Sequence, residues 1–303
     1  MRGTIKNKLL MALAVIIALT SACYAAFMMT TYPLKIKDDS GFTLKLEKAP
    51  ERIVSCMPSI TEMLFKLDLG KRIVGVTENC NYPPEAKDIA KVGRDQMNLE
   101  KIVSLKPDLV VMLGSAQRSD INRLRSFGLP VFVVNPKTVR DVMYSMTMLG
   151  EVTNREHAAY SVTEDFDRKL GWVSAKVAGK KKPRVFVEVW GRPLMTAAGG
   201  TFINDVIEKA GGINIAKYAK GPYPEYSFEK LIAEDPDVII IPKQNVSTSE
   251  AIYRDGQWKK LRAVQKMRVL FIDADILSRP GPRIVSAVKE IATFLYGLEG
   301  KKE

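Results

Sequence analysis

From Arg52 onward the chain alternates short β-branched runs with helix-patterned stretches, and this alternation limits the fold more than any other feature. Ile53–Ser55, Arg72–Val76, Asp108–Leu113 and Val131–Val134 read as strands. Ser59–Leu67, Leu99–Leu105 and Ser119–Phe127 read as helices, closed off by Gly70, Pro107 and Gly128. Strands that alternate with helices build βαβ units around a parallel sheet. Between residues 138 and 180 the pattern changes. Proline is absent there, and Val142, Met146, Leu149, Val152, Phe166, Leu170, Val173 and Val177 recur at helical spacing. One helix of about 40 residues is expected, about 60 Å long if straight and therefore bent, with Gly150 the natural place. The alternation then resumes, with strands at Val185–Val189, Val238–Ile241 and Val269–Ile272 and helices at Phe202–Lys209, Phe228–Ala233 and Arg283–Leu298.

An internal repeat divides the chain. Asn98-Leu99-Glu100-Lys101-Ile102-Val103 leads to Pro107-Asp108-Leu109-Val110-Val111, and Ser227-Phe228-Glu229-Lys230-Leu231-Ile232 leads to Pro236-Asp237-Val238-Ile239-Ile240. Each copy is a short helix stopped by Pro that feeds a continuous apolar strand of the buried parallel type. All α/β units resemble one another to a degree, but Glu-Lys and Pro-Asp coinciding at one spacing favours two related lobes. The expected architecture is α/β, with two Rossmann-like lobes of mostly parallel sheet, residues 50–137 and 181–303, joined by one long helix over 138–180.

The N-terminus places the chain. Arg2, Lys6 and Lys8 precede an uncharged run from Leu9 into Thr20-Ser21-Ala22-Cys23-Tyr24-Ala25-Ala26, the order of an export signal over residues 1–26. Three fates fit: ordinary cleavage, lipidation at Cys23 within the lipobox-like Leu19-Thr20-Ser21-Ala22-Cys23, or retention as an anchor. All three put the remainder outside the cytoplasm, in the periplasm or on the outer face of the membrane, where disulfides persist. Cys56 and Cys80 each follow a strand-like run. If those strands are neighbours, the pair forms either a disulfide or two buried thiols.

Several functions are excluded by what the chain lacks. It is basic, with a net charge of +12, yet its Lys and Arg are scattered among acids and no aromatic-interleaved stripe marks nucleic acid as a partner. Its single histidine, His157, lies inside the helical segment, so neither a catalytic triad nor a His/Cys metal site can be assembled. Ala198-Gly199-Gly200-Thr201 reads as a turn, and no P-loop is present. Neither an enzyme, nor a resident cofactor, nor a bound metal ion is expected.

The order of several segments resembles the periplasmic binding proteins for cobalamin, siderophores and heme. These segments are Arg52-Ile53-Val54-Ser55-Cys56-Met57-Pro58-Ser59-Ile60-Thr61-Glu62, then Asn81-Tyr82-Pro83-Pro84-Glu85-Ala86 and Met97-Asn98-Leu99-Glu100. In the second half they are Pro193-Leu194-Met195-Thr196-Ala197 and Ala210-Gly211-Gly212-Ile213-Asn214-Ile215. Tyr82-Pro83-Pro84 and Met97-Asn98-Leu99-Glu100 look most like the cobalamin binders. The resemblance implies the monomeric binding component of an ABC importer, which holds a small-molecule metal chelate between its lobes and delivers it to a permease dimer. It carries ligand-contacting aromatics onto Trp190 and Tyr223 and an acidic contact onto Asp275. Two aromatic positions of the cobalamin binders fall instead on Asn79 and Arg94. It also carries permease docking onto Glu100 and Glu229.

Ligands of parallel α/β sheets bind beyond the carboxyl ends of the strands. Met57, Asn79, Trp190, Arg192 and Asp275 follow strand-like runs and are expected to rim one cleft. If Arg94 and Arg192 both face it, an anionic ferric siderophore gains over a corrinoid.

Overall fold

A computed structural model describes residues 30–94, 96–114, 118–246 and 248–298; the export segment and Cys23 lie outside them. The described residues open on an antiparallel hairpin, β1 (Leu34–Lys37) with β2 (Thr43–Leu46). The first lobe follows, with β3 (Ile53–Ser55), β4 (Ile73–Val76), β5 (Leu109–Leu113) and β6 (Val131–Val134) forming a wholly parallel sheet in the order β4-β3-β5-β6. The second lobe begins with β7 (Arg184–Val187) and a two-stranded hairpin of β8 (Trp190–Gly191) and β9 (Leu194–Met195). It continues through β10 (Ile213–Asn214), β11 (Val238–Pro242) and β12 (Val269–Ile272), and its parallel sheet runs β10-β7-β11-β12.

The two sheets have the same strand order, and the repeat seen in the sequence explains why. In the first lobe Asp108 accepts from the Arg52 backbone N at 2.7 Å, while Arg52 Nη2 donates to Leu105 O at 2.6 Å. In the second, Asp237 accepts from the Arg184 backbone N at 2.8 Å, while Arg184 Nη2 donates to Glu234 O at 2.8 Å. The Asp of each Pro-Asp pair thus fastens the start of the neighbouring strand, and the Arg at or just before that start covers a carbonyl in the last turn of the short helix or just beyond its end. Those helices, Leu99–Ser104 and Phe228–Glu234, are capped alike: Asn98 accepts from Lys101 N and Ser227 from Lys230 N.

Both sheets are buried on both faces. Ile53, Val111, Phe132, Val187 and Ile240 face one continuous apolar core that also takes in Met146, Leu149 and Phe166 of the connecting segment. Val54, Val110 and Val133 face a second cluster, and Phe186, Ile239 and Ile241 a third. Alternate residues of one apolar run therefore serve opposite faces, as expected of parallel strands covered on both sides.

The single helix expected over 138–180 is two helices, Val139–Thr153 and Glu156–Val177. Asn154 breaks them apart. It takes a left-handed conformation, φ 55°, and ends the first helix as glycine more often does. The chain turns back so closely that a Cβ on Gly150 would stand 2.5 Å from the Ala159 Cβ. The second helix, about 33 Å long by its 22 residues, packs against the C-terminal helix Ile284–Tyr296.

Candidate functional site

The carboxyl ends of the first-lobe strands face the segment after β12 across a cleft of about 720 Å³. Met57 lies just past β3 and is the residue from which the Pro58–Lys66 helix starts. Glu78, Asn79 and Asn81 lie past β4, and Asp275 and Arg279 face them from the second lobe. Of the residues expected at the ligand site, Met57, Asn79, Arg94 and Asp275 all line this cleft.

Its charges are already spoken for within the protein. Arg94 Nε pairs with Glu78 at 3.1 Å. Arg279 Nη2 pairs with Asp275 at 2.8 Å, and its Nη1 donates to Asn81 Oδ1 at 2.7 Å. Asn81 in turn donates to Asp275 Oδ2 at 2.9 Å, a direct bond between lobes. Beneath this network the Glu62 carboxylate, 1% exposed, accepts from Arg279 at 3.2 Å and from Arg283 Nε and Nη2 at 2.9 and 2.7 Å. Glu62, Arg279, Arg283 and Asn81 were not singled out from the sequence. The available signal was Glu62 itself, an acid among Ile60, Met63 and Leu64 on the buried face of a short helix. A charge in that place needs a cationic partner.

Other expected residues lie elsewhere. Trp190 and Arg192 line a separate cavity of about 440 Å³ in the second lobe, shared with Glu188 and Asn245. Trp190 is 57% exposed, and its indole N–H donates to Arg192 O at 2.9 Å. Tyr82 lies in neither cavity, and the Arg283 guanidinium sits 4.1 Å from its ring centroid. Tyr223 also lies outside both and is exposed, with partial burial of its hydroxyl holding its pKa above the ordinary value. Glu100 and Glu229 are exposed in the first turns of the two matching helices.

Cys56 and Cys80 are both buried and are not joined by a disulfide, so of the two arrangements open from the sequence the structure has the pair of thiols. The Cys80 Sγ lies 3.1 Å from the hydroxyl oxygens of both Thr61 and Thr77, which occupy it where it stands. Burial above all, with Cys80 nearby, pushes the Cys56 thiol pKa upward, away from reactivity.

Comparison with known proteins agrees with this fold. Residues 53–276 match the family model described as periplasmic binding protein. An uncharacterized ABC transporter substrate-binding lipoprotein of Bacillus subtilis, YvrC, is 33% identical over 88% of this chain and 86% of its own. The crystal structure of the periplasmic vitamin B12 binding protein BtuF of Vibrio cholerae superposes with a TM-score of 0.73 at 30% identity, covering 81% of this chain and 96% of that one. The periplasmic heme-binding protein BhuT, in complex with two hemes, gives 0.73 at 26% identity, over 82% and 100%.

Proposed function

We propose a corrinoid, cobalamin above all, as the ligand of this chain, which belongs to the periplasmic binding protein family and whose relatives are substrate-binding components of ABC transporters rather than enzymes. One observation carries the choice: the arginines of the inter-lobe cleft are neutralised by the protein's own acids. Arg94 is held by Glu78, and Arg279 by Glu62 and Asp275. A cleft built for a polyanionic chelate leaves guanidinium groups open to it. This one instead offers the side-chain amide of Asn79 and the thioether of Met57. Such a lining suits a large chelate with a neutral, amide-bearing rim.

The protein acts outside the cytoplasmic membrane as a monomer. It surrenders its cargo to a two-fold permease through Glu100 and Glu229, one on each lobe. A ferric siderophore or heme is the second reading. It is favoured by Arg192, exposed and without an ion pair among the described residues, and by the likeness to BhuT. Absorption spectra of the protein, recorded after incubation with cyanocobalamin, hemin and a ferric catecholate followed by desalting, decide between them. Retained corrinoid bands support the proposal. Retention of hemin or the catecholate alone overturns it.

A further inference from the structure

The second-lobe cavity holds a carboxyl group that the protein itself leaves underused. Glu188 follows β7 directly, is 2% exposed, and lines the cavity together with Asn245 from the turn after β11. Its Oε1 accepts from Asn245 Nδ2 at 3.1 Å, and among the described residues no ammonium or guanidinium pairs with it. The backbone of the β8–β9 hairpin roofs the group so closely that a Cβ on Gly191 would lie 3.2 Å from that oxygen. Ile252 and Trp258 supply apolar wall.

A carboxylate offers about four acceptor positions, and one buried so deeply is ordinarily covered by a cation or by several N–H groups. Here a single amide does that. Burial accordingly holds the Glu188 pKa above the usual carboxylate value, opposed in part by the Asn245 bond. The other charged residues of the cavity are Arg192, on the roofing hairpin, and Asp255. Asp255 already accepts from the backbone N of Gln257 and of Trp258 at 2.8 and 3.0 Å.

We propose that this cavity is a subsite of the ligand cleft in which Glu188 accepts a hydrogen bond from an amide, hydroxyl or ammonium group on the rim of the bound chelate. The proposal rests on the reading that a chelate lies between the lobes, and it adds which rim chemistry is selected. Donor-bearing rims are accepted. Rims that present carboxylates or phenolates meet a buried acid and are rejected, as happens wherever a polar site is left unmatched. The hairpin that closes the cavity carries Trp190 and Arg192, so one structural unit supplies an exposed aromatic face and covers the acceptor behind it.

The substitution Glu188→Gln keeps the shape and removes the charge. Calorimetric titration of the full chain with cyanocobalamin is expected to show a Kd at least about tenfold higher for the variant, the loss typical of a hydrogen bond to a charged group. Binding of hemin and of a ferric catecholate is expected to be unchanged or tighter. A cyanocobalamin Kd equal to or below that of the wild type overturns the subsite and leaves the corrinoid reading standing. If the wild type binds none of the three chelates, the corrinoid reading falls, and the subsite is judged by a second measurement. Ethanolamine, which carries both an ammonium and a hydroxyl, is titrated into wild-type protein while the Asn245 side-chain amide and the Trp258 indole are followed by NMR. Saturable shifts in both signals support the subsite. Their absence from the wild type overturns it, whether or not Glu188→Gln folds.

Discussion

The Glu62 carboxylate and the Arg283 guanidinium meet side-on, Nε to Oε2 at 2.9 Å and Nη2 to Oε1 at 2.7 Å, although 221 residues separate them and they belong to different lobes. Arg279 adds a third contact to the same carboxylate. Two parallel N–H bonds to one buried carboxylate are the strong form of ion pair. Removing the acid takes from Arg283 its ion-pair partner and leaves Arg279 with Asp275 alone, both guanidinium groups being largely buried. Glu62→Ala is expected to lower unfolding stability by about 3–5 kcal/mol in urea denaturation. Adding Arg283→Ala to it is expected to cost less than the sum of the two single changes, because the partners share one interaction. Additive losses would mean that the contact contributes nothing in solution.

Trp190 tests the ligand site without disturbing the fold. The residue is more than half exposed, so Trp190→Ala is expected to leave the melting temperature within about a degree or two of wild type. Cyanocobalamin affinity is expected to fall by about 1–3 kcal/mol as a stacking surface is lost. Unchanged calorimetric affinity combined with a lowered melting point would make Trp190 a packing residue.

Gly150 decides how closely the two connecting helices approach. Alanine is ordinarily about 1 kcal/mol better than glycine within a helix. At this position the added methyl meets the Ala159 Cβ at 2.5 Å, so the sign reverses. Gly150→Ala is expected to lower stability by about 1–3 kcal/mol, read as an earlier urea midpoint. A later midpoint would show that the helices separate at no cost.

Glu100 and Glu229 occupy matching places in the two lobes and touch neither cavity. Glu100→Ala and Glu229→Ala are each expected to leave cyanocobalamin affinity unchanged while weakening uptake into vesicles that contain the permease, and the double change to abolish uptake. Undiminished uptake by the double variant would leave both as acids that merely favour a helix start.

Strands such as Leu109–Leu113 and Val238–Pro242 were legible because both their faces are buried, which writes an unbroken apolar run into the chain. The repeat was legible because Asp108 and Asp237 perform one local task twice. The break at Asn154 was not: a left-handed asparagine has no Pro or Gly beside it to announce the turn, and the apolar spacing continues across it. The β8–β9 hairpin went unseen because each strand is only two residues long, and it is this hairpin that places Trp190 and Arg192 in the second-lobe cavity. Arg279 and Arg283 gave no local sign at all. Their meaning depends on an acid more than 200 positions earlier in the chain.

The apolar core shared through the connecting helices and the Glu62 ion pairs tie the lobes together at two places. A vessel fastened in this way changes its outline little between empty and full. Whatever receives it must therefore tell a loaded vessel from an empty one by feeling the cargo at the mouth, and an empty one competes for the same berth on nearly equal terms.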